Sequence, residues 1–201
     1  MTAQHPTPFP IRRPALLTDR DVEGLSAVLV DAIEGGASVS FLHPLPVAKA
    51  RAFWGDVAAA VERGERAVLL AEDVDGIVGT VQLVLDQPEN QPHRADLVKL
   101  LVHRRARRRG LGAALVRAAE DLARERGRSL LVLDTVTGSD GERLYARLGW
   151  ERCGVLPGYA LGSRGGLCAT TVFYRGLETR ANGTVSGNPP GRPGPEREDP
   201  A

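Results

Sequence analysis

The segment with the most evident chemistry runs from Leu100 to Leu115. An apolar strand pattern, Leu100-Leu101-Val102, passes into His103-Arg104-Arg105-Ala106-Arg107-Arg108-Arg109 and then into Gly110-Leu111-Gly112-Ala113-Ala114-Leu115. Five arginines fall within six residues. A strand, a basic turn and a helix start make an anion site, because unpaired N–H groups and the helix dipole both favour negative charge there. Glycine lets the backbone approach a pyrophosphate closely, and arginine adds charge-assisted hydrogen bonds to phosphate oxygens. The same run also fits a solvated turn or a basic patch on nucleic acid. No aromatic residue is interleaved with the arginines, so there is no stacking platform for single-stranded bases. A dinucleotide-binding unit is a third reading, since the strand after the helix ends in Asp134. Against it, Leu115 holds the third glycine position, seven residues part the strand from Gly110, and too little chain remains for a second half-sheet.

These residues need a frame, and hydrophobic spacing predicts one. Ile11 to Leu17 reads as a first strand. Thr18 reads as an N-cap with Asp19 and Asp21 in the first turn, where the helix dipole favours them. Val22, Leu25, Val28, Leu29 and Ile33 follow at helical spacing, and Gly35-Gly36 stops that helix. A loop to Leu45 leads to a second helix opened by Pro46. Ala67–Ala71 and Ile77–Leu85 flank Asp73-Val74-Asp75-Gly76, a hairpin signal. Ala95–Val102 is the next strand, followed by a helix to about Arg126, a strand over Ser129–Thr135 and a short helix over Asp140–Leu148. Trp150–Leu156 and Thr170–Arg175 are the last strands. The order is that of an α+β layer fold on a mixed sheet. Residues 1–10 are expected to be flexible, residues 11–178 to form one domain, and residues 179–201, rich in Gly, Pro and Glu, to be a disordered tail.

Composition narrows the classes. Apolar residues are 42% and aromatics 4%, so Val, Leu and Ala must build the core. The net charge of +1 makes no global case for a nucleic-acid or membrane partner. Cys153 and Cys168 make no disulfide framework, which favours a reducing compartment. No signal-peptide pattern and no apolar run of roughly 20 residues is present. A soluble, cytoplasmic protein is expected. His43, His93 and His103 fit no metal spacing, so no metal is expected.

Arg107-x-x-Gly110-x-Gly112 resembles the Arg/Gln-x-x-Gly-x-Gly/Ala motif by which GNAT acetyltransferases hold the pyrophosphate of acetyl-CoA. Leu144-Tyr145-Ala146-Arg147-Leu148-Gly149-Trp150 resembles that family's Tyr-x-x-x-Gly-aromatic segment. The order of elements agrees from about Ile11 to Leu177. Gly35-Gly36-Ala37-Ser38-Val39-Ser40-Phe41, Leu133-Asp134-Thr135, Leu156-Pro157-Gly158-Tyr159 and Cys168-Ala169-Thr170-Thr171 look similar to the tabtoxin-resistance type of acetyltransferase. The resemblance implies a GNAT fold, a mixed and mostly antiparallel sheet with helices on both faces. It implies acetyl-CoA as co-substrate, held by Leu101, Val102, Arg107, Arg108, Arg109, Gly110, Leu111, Gly112 and Ala113. The density of arginine suggests an extra contact to the 3′-phosphate. Family habit suggests a homodimer.

Forming an amide from an amine and a thioester requires that the amine lose a proton, that the oxyanion meet donors, and that the leaving thiolate gain a proton. A primary amine, with a pKa of roughly 10, arrives mostly protonated. By resemblance Asp134 is the first candidate to take that proton and Asp96, on the preceding strand, the second; Asp134 could instead only cap the following turn. Backbone N–H groups of Leu101 or Val102, where the GNAT strand splays, would meet the oxyanion. Tyr145 is the candidate acid: a phenol near 10 protonating a thiolate near 8.5 is uphill by about 1.5 units, roughly 2 kcal/mol. Ser38, Gln82, Asp96 and Tyr159 are candidates to line the acceptor side, although Gln82 also fits an ordinary outward polar residue. Neither cysteine has an adjacent histidine base, which speaks against a ping-pong thiol route. The function expected is acetyl transfer to a primary amine of a small amino-acid-like metabolite or antibiotic. Acetylation of a protein N-terminus or lysine is the alternative, which the glycine-rich insert Ala160–Leu167 disfavours if it closes over a small acceptor. A non-catalytic acyl-CoA sensor or an RNA-binding module is the alternative of another class.

Overall fold

The computed structural model describes residues 9–178. The expected tail, 179–201, and residues 1–8 of the expected flexible start lie outside them. Phe9, which the sequence places in the flexible start, is instead buried in the core at 3% exposure.

The sheet has seven strands: β1 (Ile11–Arg12), β2 (Arg66–Asp73), β3 (Gly76–Val84), β4 (Arg94–Val102), β5 (Leu130–Val136), β6 (Glu151–Leu161) and β7 (Leu167–Gly176). Their spatial order is β1-β2-β3-β4-β5-β7-β6. Every neighbouring pair is antiparallel except β4 with β5. The helices are α1 (Asp19–Glu34), α2 (Val47–Glu62), α3 (Leu111–Glu125) and α4 (Asp140–Arg147). This is the mixed, mostly antiparallel α+β sheet expected, with helices on both faces.

The layers follow from side-chain alternation along each strand. In β2, Ala67, Leu69 and Ala71 join the core under α3, while Val68 and Leu70 join the core under α1 and α2. The first helix starts where expected: the Thr18 side chain accepts the Asp21 N–H, and the Asp21 side chain accepts the Thr18 N–H at 2.9 Å, a reciprocal cap.

Two elements differ from expectation. β1 is two residues long rather than seven, because Pro14 has no N–H to continue a ladder. The Ala160–Leu167 insert is the tip of a β6–β7 hairpin, with Leu161 opposite Leu167. Its ladder is interrupted between Leu156 and Ala160, where Pro157 likewise cannot donate.

Candidate active site

Parallel pairing of β4 with β5 covers only Arg94, Ala95 and Asp96 opposite Leu130, Leu131 and Val132. Beyond that rung the strands part. A bulge in β4 helps to turn it away: Gln82 faces Val98 and Thr80 faces Leu101, so Lys99 and Leu100 together oppose a single β3 residue. Lys99 has φ 52°, a left-handed conformation that non-glycine residues seldom hold. The opening becomes a cleft of about 890 Å³ whose walls include Leu100–Val102, Thr135 and Val136.

One end of the cleft is the arginine turn. Gly110 caps α3 with φ 78°, where an L side chain would be strained. Gly112 serves another purpose: an added Cβ would stand 3.2 Å from Leu144 Cδ2, so its lack of a side chain lets α4 pack against the start of α3. Leu111, Gly112 and Ala113 all line the cleft, at the positive end of the α3 dipole.

The five arginines do not act together. Arg107 enters the cleft and donates from Nε to the Val102 carbonyl at 3.0 Å. Arg108 also lines it, highly exposed and 3.6 Å from Asp140. Arg104 turns back to Asp31 at 2.6 Å and Glu34 at 3.1 Å, and Arg105 holds Asp73 at 3.0 Å. Arg109 stacks on the Phe9 ring, 4.5 Å from its centroid, beside a separate shallow depression. Its guanidinium therefore lies over an aromatic face, and Arg109 is not among the residues that line the cleft. Arg117, Arg143 and Arg147 line the cleft in its stead. Arg143 and Arg147, four apart on α4, share one helix face, a spacing visible in the sequence.

Of the candidate acid–base residues, Asp96 and Asp134 stand on the two strands of the splay and Tyr145 lies in the core; none of the three is among the residues that line the cleft. Leu131 and Leu133 face the α3 core, so Asp134 points to the opposite face, where it is exposed. No hydrogen bond or ion pair engages its carboxylate among the described residues. Asp96 is differently placed: it sits on the last paired rung, 3.4 Å from Arg94, and accepts a hydrogen bond from Gln87 at 3.2 Å. Tyr145 is buried between Trp150 and Phe173, with centroids 5.7 and 6.1 Å away. Burial pushes its hydroxyl well above the ordinary phenol value, and the charge of Asp134 adds to the shift.

On the acceptor side, Ser38 lines the cleft and donates to the Leu161 carbonyl at 3.2 Å. Gln82 is fully buried, not an outward polar residue; its Oε1 accepts from Arg66 at 2.8 Å and its Nε2 has no partner. Tyr159 is 57% exposed in the interrupted part of β6 and is not among the residues that line the cleft. The hairpin tip packs on the end of α1 and the loop after it: the Ser163 carbonyl accepts the His43 N–H at 2.7 Å, and Arg164 donates to the Glu34 carbonyl at 3.1 Å.

A strand splay, a glycine-capped helix start and inward arginines suit a phosphorylated, extended acyl carrier. The acetyltransferase (GNAT) family model matches residues 31–150. The chain belongs to that family. This GNAT acetyltransferase is 36% identical over 87 residues to human N-acetyltransferase 8; the match covers 42% of this chain and only 38% of that relative. A putative acetyltransferase from Salmonella typhimurium, solved with its cofactor acetyl-CoA, superposes with a TM-score of 0.70 at 18% identity, over 89% of this chain and 99% of the other. A ribosomal-protein-alanine N-acetyltransferase from Brucella melitensis gives 0.67 at 25% identity, over 84% and 99%. The GNAT fold is thereby fixed. No helix among the described residues is long and apolar enough to cross a membrane.

Proposed function

We propose that this acetyltransferase moves an acetyl group directly from acetyl-CoA to a primary amine of a small amino-acid-like metabolite or antibiotic. The observation that carries this reading is the junction of two unlike half-sites at one strand splay. The α3 start with Arg107 and Arg108 suits phosphates on one side, and Asp134, on β5 beyond its pairing with β4, suits an amine on the other. Bound acetyl-CoA supplies the activated acetyl group as a thioester.

The chain's own residues supply the rest. The α3 N–H groups of Leu111, Gly112 and Ala113, with Arg107 and Arg108, hold phosphate oxygens. The edge of Leu101 and Val102, free of a β5 partner, offers backbone groups to the extended arm and to the reacting carbonyl. Asp134 orients the ammonium and accepts its proton, directly or through water. Asp96 is a poorer acceptor because Arg94 and Gln87 already engage it. Tyr145 keeps its proton across the working pH range and donates a hydrogen bond to the departing sulfur; full transfer costs more than from a free phenol, since burial raises its pKa.

The β6–β7 hairpin, whose Gly162 lines the cleft and whose tip is tied to Glu34 and His43, narrows the room for an acceptor and supports a small one over a protein chain end. Similarity to the tabtoxin-resistance type supports self-protection or detoxification as the role. The test is acetyl-CoA calorimetry run beside a thiol-release screen over amino acids, aminoglycosides, polyamines and β-lactam-type amines. Binding with turnover on one class is the expected result. Binding without CoA release on any amine would sink the proposal, and a salt-sensitive complex with RNA in place of acetyl-CoA binding would replace it.

A further inference from the structure

Lys99 is the residue of the acceptor face that neither the cradle nor the acid–base pair requires. It sits in the β4 bulge on left-handed backbone, and its Nζ donates to Ser40 Oγ at 3.0 Å. Ser40 is left-handed too, at φ 73°. The ammonium lies 5.7 Å from the Phe53 ring centroid rather than out in solvent. Strained backbone of this kind persists where the surrounding structure imposes it, and it collects at ligand sites.

The neighbours of Lys99 are unusual for a lysine. Burial pushes its pKa down, the charge of Arg66 pushes it further, and Asp134 acts the other way. No ion pair joins Lys99 or Arg66 to a carboxylate among the described residues. Arg66 instead donates to Gln82, whose Nε2 is fully buried and unpartnered. By strand alternation, Arg66 shares a face with Val68, and Gln82 faces opposite to Val81 and Leu83. Two cations and a spare amide donor therefore share the face of Asp134, whose charge reaches Lys99, while neither cation is in ion-pair contact with a carboxylate among the described residues.

We propose that Lys99, Arg66 and Gln82 form an anion-binding wall that receives the carboxylate of the acceptor while Asp134 receives its amine, making the acceptor an amino acid. This rests on the acetyl-transfer reading above. A bare amine beside Asp134 adds a second positive charge near Lys99, with Asp134 alone to balance both. A zwitterion reverses that penalty, because its carboxylate lies against the cations and its ammonium against the carboxylate.

The experiment is calorimetry on the CoA-saturated protein with product-like probes: the N-acetyl derivatives of glycine, β-alanine and 4-aminobutyrate, each against its own carboxamide. At least one acid is expected to bind about tenfold or more tightly than its amide, the value of one charge-assisted hydrogen bond. Lys99→Met is expected to erase that difference, and Lys99→Arg to restore most of it; unchanged CoA affinity in both variants shows that the fold is intact. Equal binding of acid and amide, no binding of any acid, or an acid preference that survives in Lys99→Met would each overturn the wall. The two readings fail separately. Acid-selective binding without CoA release from any amine would remove the transferase proposal and leave the wall. Turnover equal on amino acids and their amides would do the reverse.

Discussion

Two cationic regions meet at the β4–β5 splay, and they are built on opposite plans. The arginine turn is contiguous, and most of its side chains are engaged by the protein away from the cleft. Arg104 and Arg105 bind Asp31, Glu34 and Asp73, and Arg109 covers Phe9, leaving Arg107 and Arg108 for the cleft. The acceptor wall gathers single residues from separate strands: Arg66 from β2, Gln82 from β3, Lys99 from β4 and Asp134 from β5. Its cations have no ion-pair partner among the described residues. Density of charge in the sequence thus marks where the chain anchors itself. Charge left unpaired in the fold marks where a ligand belongs.

The largest effect expected is on the wall side. Asp134→Asn should lower kcat/KM about 100-fold or more, the usual scale of a lost general base. Asp96→Asn, already engaged by Arg94 and Gln87, should change it far less. Steady-state kinetics on both variants checks this, and a larger loss at Asp96 would exchange their roles. Next, Arg107→Ala should weaken acetyl-CoA about 10- to 100-fold by calorimetry, for one charge-assisted contact of about 1.5–3 kcal/mol. Arg109→Ala should leave that affinity nearly unchanged and instead lose about 0.5–1 kcal/mol of stability with the Phe9 contact. Equal losses of affinity would erase the contrast within the turn.

Tyr145→Phe sharpens the comparison at the junction. Removing one hydrogen bond to the sulfur should slow turnover about tenfold, the upper end of a neutral bond worth about 0.5–1.5 kcal/mol. Acetyl-CoA affinity should stay unchanged. Because the buried hydroxyl titrates above the ordinary value near 10, the wild-type kcat profile should show no alkaline loss from this group below about pH 10. Unchanged turnover in the variant would remove Tyr145 from the chemistry.

Much of the frame is legible because its signals are local. Thr18 and Asp21 announce α1, Asp73–Gly76 announces a hairpin, and Arg107 to Gly112 announces the cradle, all within a few residues. The sites that escaped are long-range. The bulge that turns Lys99 inward depends on how β3 and β4 register, and nothing around Lys99 in the sequence encodes it. Arg66 and Gln82 meet across a hairpin, and the burial of Gln82 depends on helices laid over it. Tyr159 shows the converse limit of local signals. Its local segment resembles that of a subgroup, but the break in β6 around Pro157 leaves it on the outer surface.

A smaller effect on cofactor binding tests whether the arginines turned away from the cleft are anchors. Burial raises the Asp31 carboxyl, but hydrogen bonds from the Arg104 backbone and guanidinium, with the charge of His103, outweigh it and hold the group below its ordinary value. A lowered carboxyl stabilises the fold above its unfolded pKa near 3.9 and loses that contribution as pH falls through the folded value. Asp31→Asn should therefore cost about 1–2 kcal/mol at pH 7, discounted because Arg104 is half exposed. That is a few degrees in a thermal melt, and the gap to wild type should narrow steadily below pH 4. Acetyl-CoA affinity should fall less than in Arg107→Ala, because the turn loosens while its cleft-facing arginines remain. A melting difference independent of pH would mean that Asp31 acts through its shape rather than its charge, and that Arg104 is not held by an ion pair.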